Sequence, residues 1–321
     1  MKRGFLAWLA VLCLVSAAQA ATGDYERALD LLRARKLPDA VAALQSAEAG
    51  NDPRAANALG ELYQTGFGVP RDETRACDLF EKAAKADIVT AARNFADCFF
   101  WGKGGRAQDY AQSKYWYERG IAANDAPAFC SLGAQYRRGL GVPKDAARAV
   151  ALCAQGAELG DAEAQADLGE MYLAGTDVPR DAAAALQLLT KAAAQNHGRA
   201  MLNLGLMYWN GDGVAKDLNR ARGLVLGACR AGVESAYLYA GQLFFAASVD
   251  KEKNQVREDA AWVALFWLAL AAERDPQPEK RTAAQQLYAA LAKASPQSVL
   301  ARANEALRLR KAQESALGVK P

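Results

Sequence analysis

Gln165–Asn196, QADLGEMYLAGTDVPRDAAAALQLLTKAAAQN, recurs with variations along this chain of 321 residues. Its Leu168-Gly169 pair returns as Leu59-Gly60, Leu132-Gly133 and Leu204-Gly205, with Phe95-Ala96 and Ala240-Gly241 as degenerate copies. An aromatic follows each pair, at Tyr63, Phe99, Tyr136, Tyr172, Tyr208 and Phe244. Successive copies are 36, 37, 36, 36 and 36 residues apart. A fixed period of this size specifies a stacked array, in which each copy buries its apolar face on the next.

Within a copy the sequence spells two antiparallel helices. The first runs to the aromatic and breaks at Gly66, Gly102, Gly139, Gly175 and Gly211. Asp72, Asp109, Asp145, Asp181 and Asp217 then stand just before the next apolar-periodic run, where a carboxylate accepts the free amide hydrogens that open a helix. The one-residue insertion of the second copy falls in this loop, at Gly104-Gly105. The second helix closes at Asn51, Asp87, Asn124, Gly160, Asn196 and Gly232, all residue types that accept a left-handed backbone. Gly60, Gly133, Gly169, Gly205 and Gly241 lie inside the first helix, where glycine costs about 1 kcal/mol against alanine. Their recurrence implies that a neighbouring helix approaches there.

The pattern Ala-x-x-x-Leu-Gly-x-x-Tyr-x-x-Gly-x-Gly-Val-x-x-Asp-x-x-x-Ala, followed by a pair of small residues, resembles the Sel1-like repeat family, which is related to the tetratricopeptide repeats. The likeness covers about residues 53–247. It implies an all-α fold, a right-handed α-solenoid of antiparallel helix pairs, and adaptor or scaffold proteins that hold a peptide or protein on the concave face. It implies no single activity. Residues 21–52 read as an N-terminal capping hairpin and 248–321 as C-terminal capping helices. In the latter, Lys251–Asp259 is a charged solvated insertion, Ser295 caps the last helix and the tail frays beyond about Arg310.

Residues 1–20 read as a cleavable signal peptide: Lys2 and Arg3, a short apolar run from Phe5 to Val15, then Ala18-Gln19-Ala20 as the cleavage site. The chain is thus expected in the periplasm or outside the cell after cleavage behind Ala20, with no stable membrane span. Its formal charge of +3 becomes +1 without Lys2 and Arg3, which gives no overall attraction to nucleic acid.

No catalytic, metal or cofactor site emerges. The one histidine, His197, follows a helix-ending turn and reads as a surface loop residue. Some cysteine-rich members of the family have been assigned β-lactamase or penicillin-binding activity, and Ser248-Val249-Asp250-Lys251 fits their Ser-x-x-Lys pattern without its companion motifs. A hydrolase of that type is therefore one alternative, and an envelope signalling regulator is another. The preferred reading is a non-catalytic scaffold for a protein or peptide of the cell envelope.

Five cysteines follow residue 20. Folding the helices about their turns sets Cys77 level with Cys98 and Cys130 level with Cys153. Packed helices are close enough for such pairs to bond. Two disulfides, or five buried thiols used as small apolar residues, are both open readings. The residues between each aromatic and its glycine are free of the motif, and aromatics and arginine dominate binding surfaces. Phe100, Trp101, Arg137, Arg138 and Trp209 are thus candidate partner contacts, with Arg93 and Asp97 one turn earlier. Packing at the edge of the core is the other open reading for the aromatics.

Overall fold

The chain is described by a computed structural model over residues 23–250 and 255–316. The expected signal peptide lies outside the described residues. An opening hairpin pairs α1 (residues 23–33) with α2 (Leu37–Ala49). First and second helices then alternate: α3 (Pro53–Thr65) with α4 (Glu73–Lys85), α5 (Val89–Trp101) with α6 (Tyr110–Ala122), and α7 (Ala126–Arg138) with α8 (Ala146–Glu158). The same order continues in α9 (Ala162–Ala174) and α10 (Ala182–Ala194), then α11 (Gly198–Asn210) and α12 (Leu218–Arg230). The chain goes on through α13 (Ala236–Ser248), α14 (Glu258–Arg274), α15 (Pro278–Ala294) and α16 (Gln297–Ala316). The fold is all-α apart from a two-residue antiparallel pairing of β1 (Val249–Asp250) with β2 (Gln255–Val256). It divides into two compact units, residues 1–164 and 165–321, which part within α9.

Three backbone devices repeat with the period. The carboxylates of Asp72, Asp109, Asp145, Asp181 and Asp217 each accept N–H groups of the following helix, at 2.9–3.0 Å. The N–H of each of these aspartates donates to the carbonyl of the preceding aromatic, as in Asp72 to Tyr63 at 2.9 Å and Asp217 to Tyr208 at 2.9 Å. Asp109 makes the same bond to Phe99 at 3.0 Å across the loop that is one residue longer, so the insertion is absorbed without loss of register. At the other end, Asn51, Asp87, Asn124 and Asn196 have φ of 59–65°, and Gly160 and Gly232 of 93° and 82°. The residue after each donates back to a small residue, Ala47, Ala83, Gly120, Gly156, Ala192 or Ala228, closing the helix in a Schellman arrangement.

Helix approach is set by the small slots. A Cβ on Gly60 would lie 2.5 Å from the Phe80 ring, and one on Gly133 2.9 Å from the Ala149 carbonyl. In the first unit Leu44, Leu59, Phe80, Phe95, Trp116 and Tyr117 fill the layers between helices. In the second, Val225, Tyr237, Leu243, Trp267 and Leu268 do so.

Three C-terminal expectations are corrected. Glu258 and Asp259 belong to the first turn of α14, and Gln255–Val256 pairs with Val249–Asp250, so only part of Lys251–Asp259 is left for an insertion; residues 251–254 lie outside the described residues. The Ser295 hydroxyl donates to the Leu291 carbonyl at 2.7 Å and closes α15 instead of capping α16. Helix α16 continues past Arg310 to Ala316, because Glu314 accepts from Arg274 at 2.7 Å and from Arg310 at 2.8 Å. Residues 317–321 lie outside the described residues.

Candidate functional site

One stripe of the first helices carries most of the polar side chains that link one first helix to the next. Relative to the Leu-Gly leucine it comprises the positions five, two and one residues before, and two residues after, which share a helical face. In the first unit, Asn57 on α3 donates to Thr90 Oγ1 on α5 at 3.2 Å and to Glu61 at 3.0 Å. Asn94 on α5 returns to Asn57 Oδ1 at 3.2 Å. Both asparagines are buried, so they make the hydrogen bonds that a buried amide needs. In the second unit Arg199 on α11 meets Asp167 on α9 at 2.6 Å, and Asn203 donates to Glu170 at 2.8 Å.

Arg93 and Asp97 belong to this stripe, and Asp125, which the sequence reading missed, joins them. Arg93 NH1 is 3.6 Å from Asp97 Oδ2, and its Nε is 3.6 Å from Asp125 Oδ2. The Tyr117 hydroxyl donates to Asp97 Oδ1. Burial raises the pKa of Asp97, opposed by that hydrogen bond and by Arg93. Burial likewise raises the pKa of Asp125 against the attraction of Arg93.

The remaining candidates divide between surface and core. Trp101 is 56% exposed at the end of α5, and Arg138 is exposed at the end of α7. Arg137 is half-buried, as is Trp209, whose ring meets Tyr239 edge-on at 6.2 Å. Phe100 is a correction: at 5% exposure it packs against Trp101, Tyr110 and Tyr117, so the core reading is the one that holds for it. His197 is half-buried and not simply a loop residue, since its Nδ1 accepts the Ala200 N–H at 3.3 Å as the N-cap of α11. Ser248 is wholly buried at the end of α13, where its hydroxyl donates to the Phe245 carbonyl at 2.8 Å. No substrate reaches it there, which removes the support for a serine hydrolase. Cys77–Cys98 and Cys130–Cys153 are disulfides, with Cα–Cα separations of 6.0 and 4.2 Å. Cys229 is a buried thiol, its pKa pushed up to about 12 by burial.

The Sel1 repeat model matches residues 53–88, 89–125, 130–161, 162–197 and 198–233, more than half of the chain. The chain belongs to the Sel1 repeat family. Its structure is similar to that of a Sel1 repeat protein from Oxalobacter formigenes, at 27% identity and a TM-score of 0.63, over 78% of this chain and 99% of that one. It is also similar to c5321, a protective antigen present in uropathogenic Escherichia coli strains and displaying an SLR fold. That match has 23% identity and a TM-score of 0.55, over 91% of this chain and 61% of that one. No curated protein sequence matches. Sel1 repeats generally mediate protein–protein interaction, and the family is generally non-catalytic.

In this Sel1 array the free slots of one repeat border a groove, which none of the candidates Phe100, Trp101, Arg137, Arg138 and Trp209 lines. Leu173 and Ala174 on α9, the counterparts of Phe100-Trp101 and Arg137-Arg138, border a cavity of about 460 Å³. Glu170, Arg199, Leu202, Asn203 and Ser235 complete its wall, which thus mixes apolar side chains with hydrogen-bonding groups. The sequence reading missed Asn57, Glu61, Asp167, Glu170, Arg199 and Asn203. A signal was present: Glu61, Asp97 and Glu170 hold the same slot in three copies.

Proposed function

We propose that this protein is a non-catalytic scaffold of the cell envelope, exported with cleavage after Ala20, that holds a protein or peptide on its first-helix face. The observation that carries this reading is the groove of about 460 Å³ lined by Leu173 and Ala174, because the motif leaves those slots free and a structural role does not require a groove. In the first unit exposed Trp101 holds the equivalent sequence slot on α5, and a large rigid aromatic offers contact area at low entropic cost. The two disulfides accord with an oxidising compartment. No helix of the described residues is long and apolar enough to cross a membrane.

The test is photo-crosslinking in cells with probes in place of Trp101 and Leu173, and a control probe at exposed Lys85 on second helix α4. One species captured from Trp101 and Leu173 but not from Lys85 is the expected result. Equal capture from all three, or none, ends the docking reading. Mass analysis of the mature chain from a periplasmic fraction is expected to begin at Ala21; an intact residue 1 in the cytosol ends the export reading.

A further inference from the structure

In the first unit the loops that join first to second helices stand side by side. A Cβ on Gly68 would meet Leu37 at the start of α2, one on Gly104 the Glu73 carbonyl at the start of α4, and one on Gly141 Tyr110 at the start of α6. Each loop thus rests on the helix that the preceding loop opens, and together they form one rim. Along it, residues 64–72, 100–109 and 137–145 hold six cations and three acids, the acids being the capping aspartates. The matching stretches of the second unit, 173–181 and 209–217, hold two cations and four acids. There Arg180 closes on Asp212 of the next loop, so the charges are met within the rim itself. In the first unit the slot of Asp212 holds Phe67, Lys103 and Leu140, none of them an acid.

Two of the six cations are paired, Arg71 with Glu73 and Arg106 with Asp78 and Glu81. The side chains of Lys103, Arg137, Arg138 and Lys144 make no ion pair or hydrogen bond among the described residues. Arg138 and Lys144 are exposed, and Lys103 and Arg137 half-buried. Between them stand Phe67 and Trp101, 60% and 56% exposed, the two most exposed aromatic side chains among the described residues. Cations that the fold leaves unneutralised attract an acidic partner and repel a basic one. Arginine also grips a carboxylate through two parallel hydrogen bonds, and an exposed aromatic adds apolar contact area. An anionic lipid surface would meet the same charge, but Sel1 repeats generally mediate protein–protein interaction, which favours a protein. We propose that the loop rim of the first unit docks an acidic segment of a partner protein, with carboxylates on Lys103, Arg137 and Arg138 and an apolar side chain against Phe67 and Trp101. This rests on the docking reading, whose partner it describes.

The experiment uses the mature chain and three fluorescent peptides followed by anisotropy at fixed salt: Asp-Glu-Phe-Glu-Asp, its amide isostere Asn-Gln-Phe-Gln-Asn, and Asp-Glu-Gly-Glu-Asp. The first is expected to bind about tenfold more tightly than the third, and the second not to bind. Arg137→Ala/Arg138→Ala is expected to weaken both acidic peptides about tenfold. It is expected to melt with the parent, because neither side chain bonds within the fold. The control Lys216→Ala/Arg230→Ala, with the same charge change on exposed residues of the second unit, is expected to change binding less than twofold. Phe67→Ala/Trp101→Ala is expected to weaken the phenylalanine peptide about tenfold and leave the glycine peptide unchanged. Equal binding of the acidic and amide peptides, equal loss in the rim and control variants, or no loss in either overturns the proposal. Phosphatidylglycerol vesicles that bind through Arg137 and Arg138, while the acidic peptides do not bind, overturn it in favour of a lipid surface. Capture from Trp101 and Leu173 in cells without any acidic-peptide binding overturns it and leaves the docking reading standing. Acidic-peptide binding as expected, with no capture in cells, sustains the preference of the rim and sinks the docking reading.

Discussion

The units on either side of residue 164 use the same repeat but are fastened differently. Residues 23–164 carry both disulfides, one joining α4 to α5 between repeats and one joining α7 to α8 within a repeat. Residues 165–316 have no disulfide among the described residues and keep Cys229 as a buried thiol. There α13 packs on α14 through Tyr237, Trp267 and Leu268, and Arg274, Arg310 and Glu314 tie α16 to α14. Covalent closure acts chiefly on the unfolded chain, whereas packing and ion pairs act on the folded one. The same array is thus held by two mechanisms that respond to different perturbations.

The largest expected effect separates them directly. Replacing Cys77 and Cys98 together by Ala opens a closure of 21 residues and is expected to destabilise the first unit by about 3 kcal/mol. Amide hydrogen exchange should quicken in α4–α8 and stay unchanged in α11–α15. Equal quickening in both would show that they unfold as one.

Next come the shared glycine slots, which test whether the packing is equally tight in the two units. Gly60→Ala drives a methyl into the Phe80 ring, and Gly241→Ala one to within 2.6 Å of Leu268 Cδ2. Phe80 and Leu268 are both wholly buried and have no room to yield, so each change is expected to cost about 1–3 kcal/mol in urea unfolding. Gly223→Ala, with nothing within 4 Å of the added atom, is expected to stabilise by up to about 1 kcal/mol.

The ion pairs of the second unit give a smaller, pH-dependent effect. Arg274, then Arg310, hold the Glu314 carboxyl down at about 2, below its ordinary 4.5. The stabilisation is complete above pH 4.5 and is lost as the pH falls through about 2. Glu314→Gln should cost about 1–2 kcal/mol at pH 7, and the gap from the parent should narrow as pH is lowered toward 2. A gap that stays constant with pH would assign the loss to packing. The smallest effect belongs to the caps common to both units. Asp145→Ala and Asp217→Ala are each expected to cost about 1 kcal/mol by thermal unfolding, whichever unit they lie in.

The parts legible in the sequence were those decided within a few residues. Asp72 caps its own helix, and Asn124 bends its own chain. Either can be recognised wherever it stands. The polar stripe was not legible in the same way, because Asn57, Arg93 and Asp167 share helices with buried apolar residues and each has a partner about one repeat away, in Thr90, Asp125 and Arg199. Phe100 and Trp101 show the limit most plainly: they are adjacent in sequence and alike in chemistry, yet one is core and the other surface.

By itself the sequence determined the period, the helix ends and the small slots that let helices approach, since each follows from local backbone preference. It set Cys77 level with Cys98 and Cys130 level with Cys153 but left open whether they bond, which the structure decided. Only the tertiary structure decided which motif-free residues reach solvent, that Ser248 is enclosed, and that Asp125 faces Arg93 without a hydrogen bond. Those outcomes depend on the rotation of each helix about its axis and on its distance from the next, which packing of all the side chains together sets.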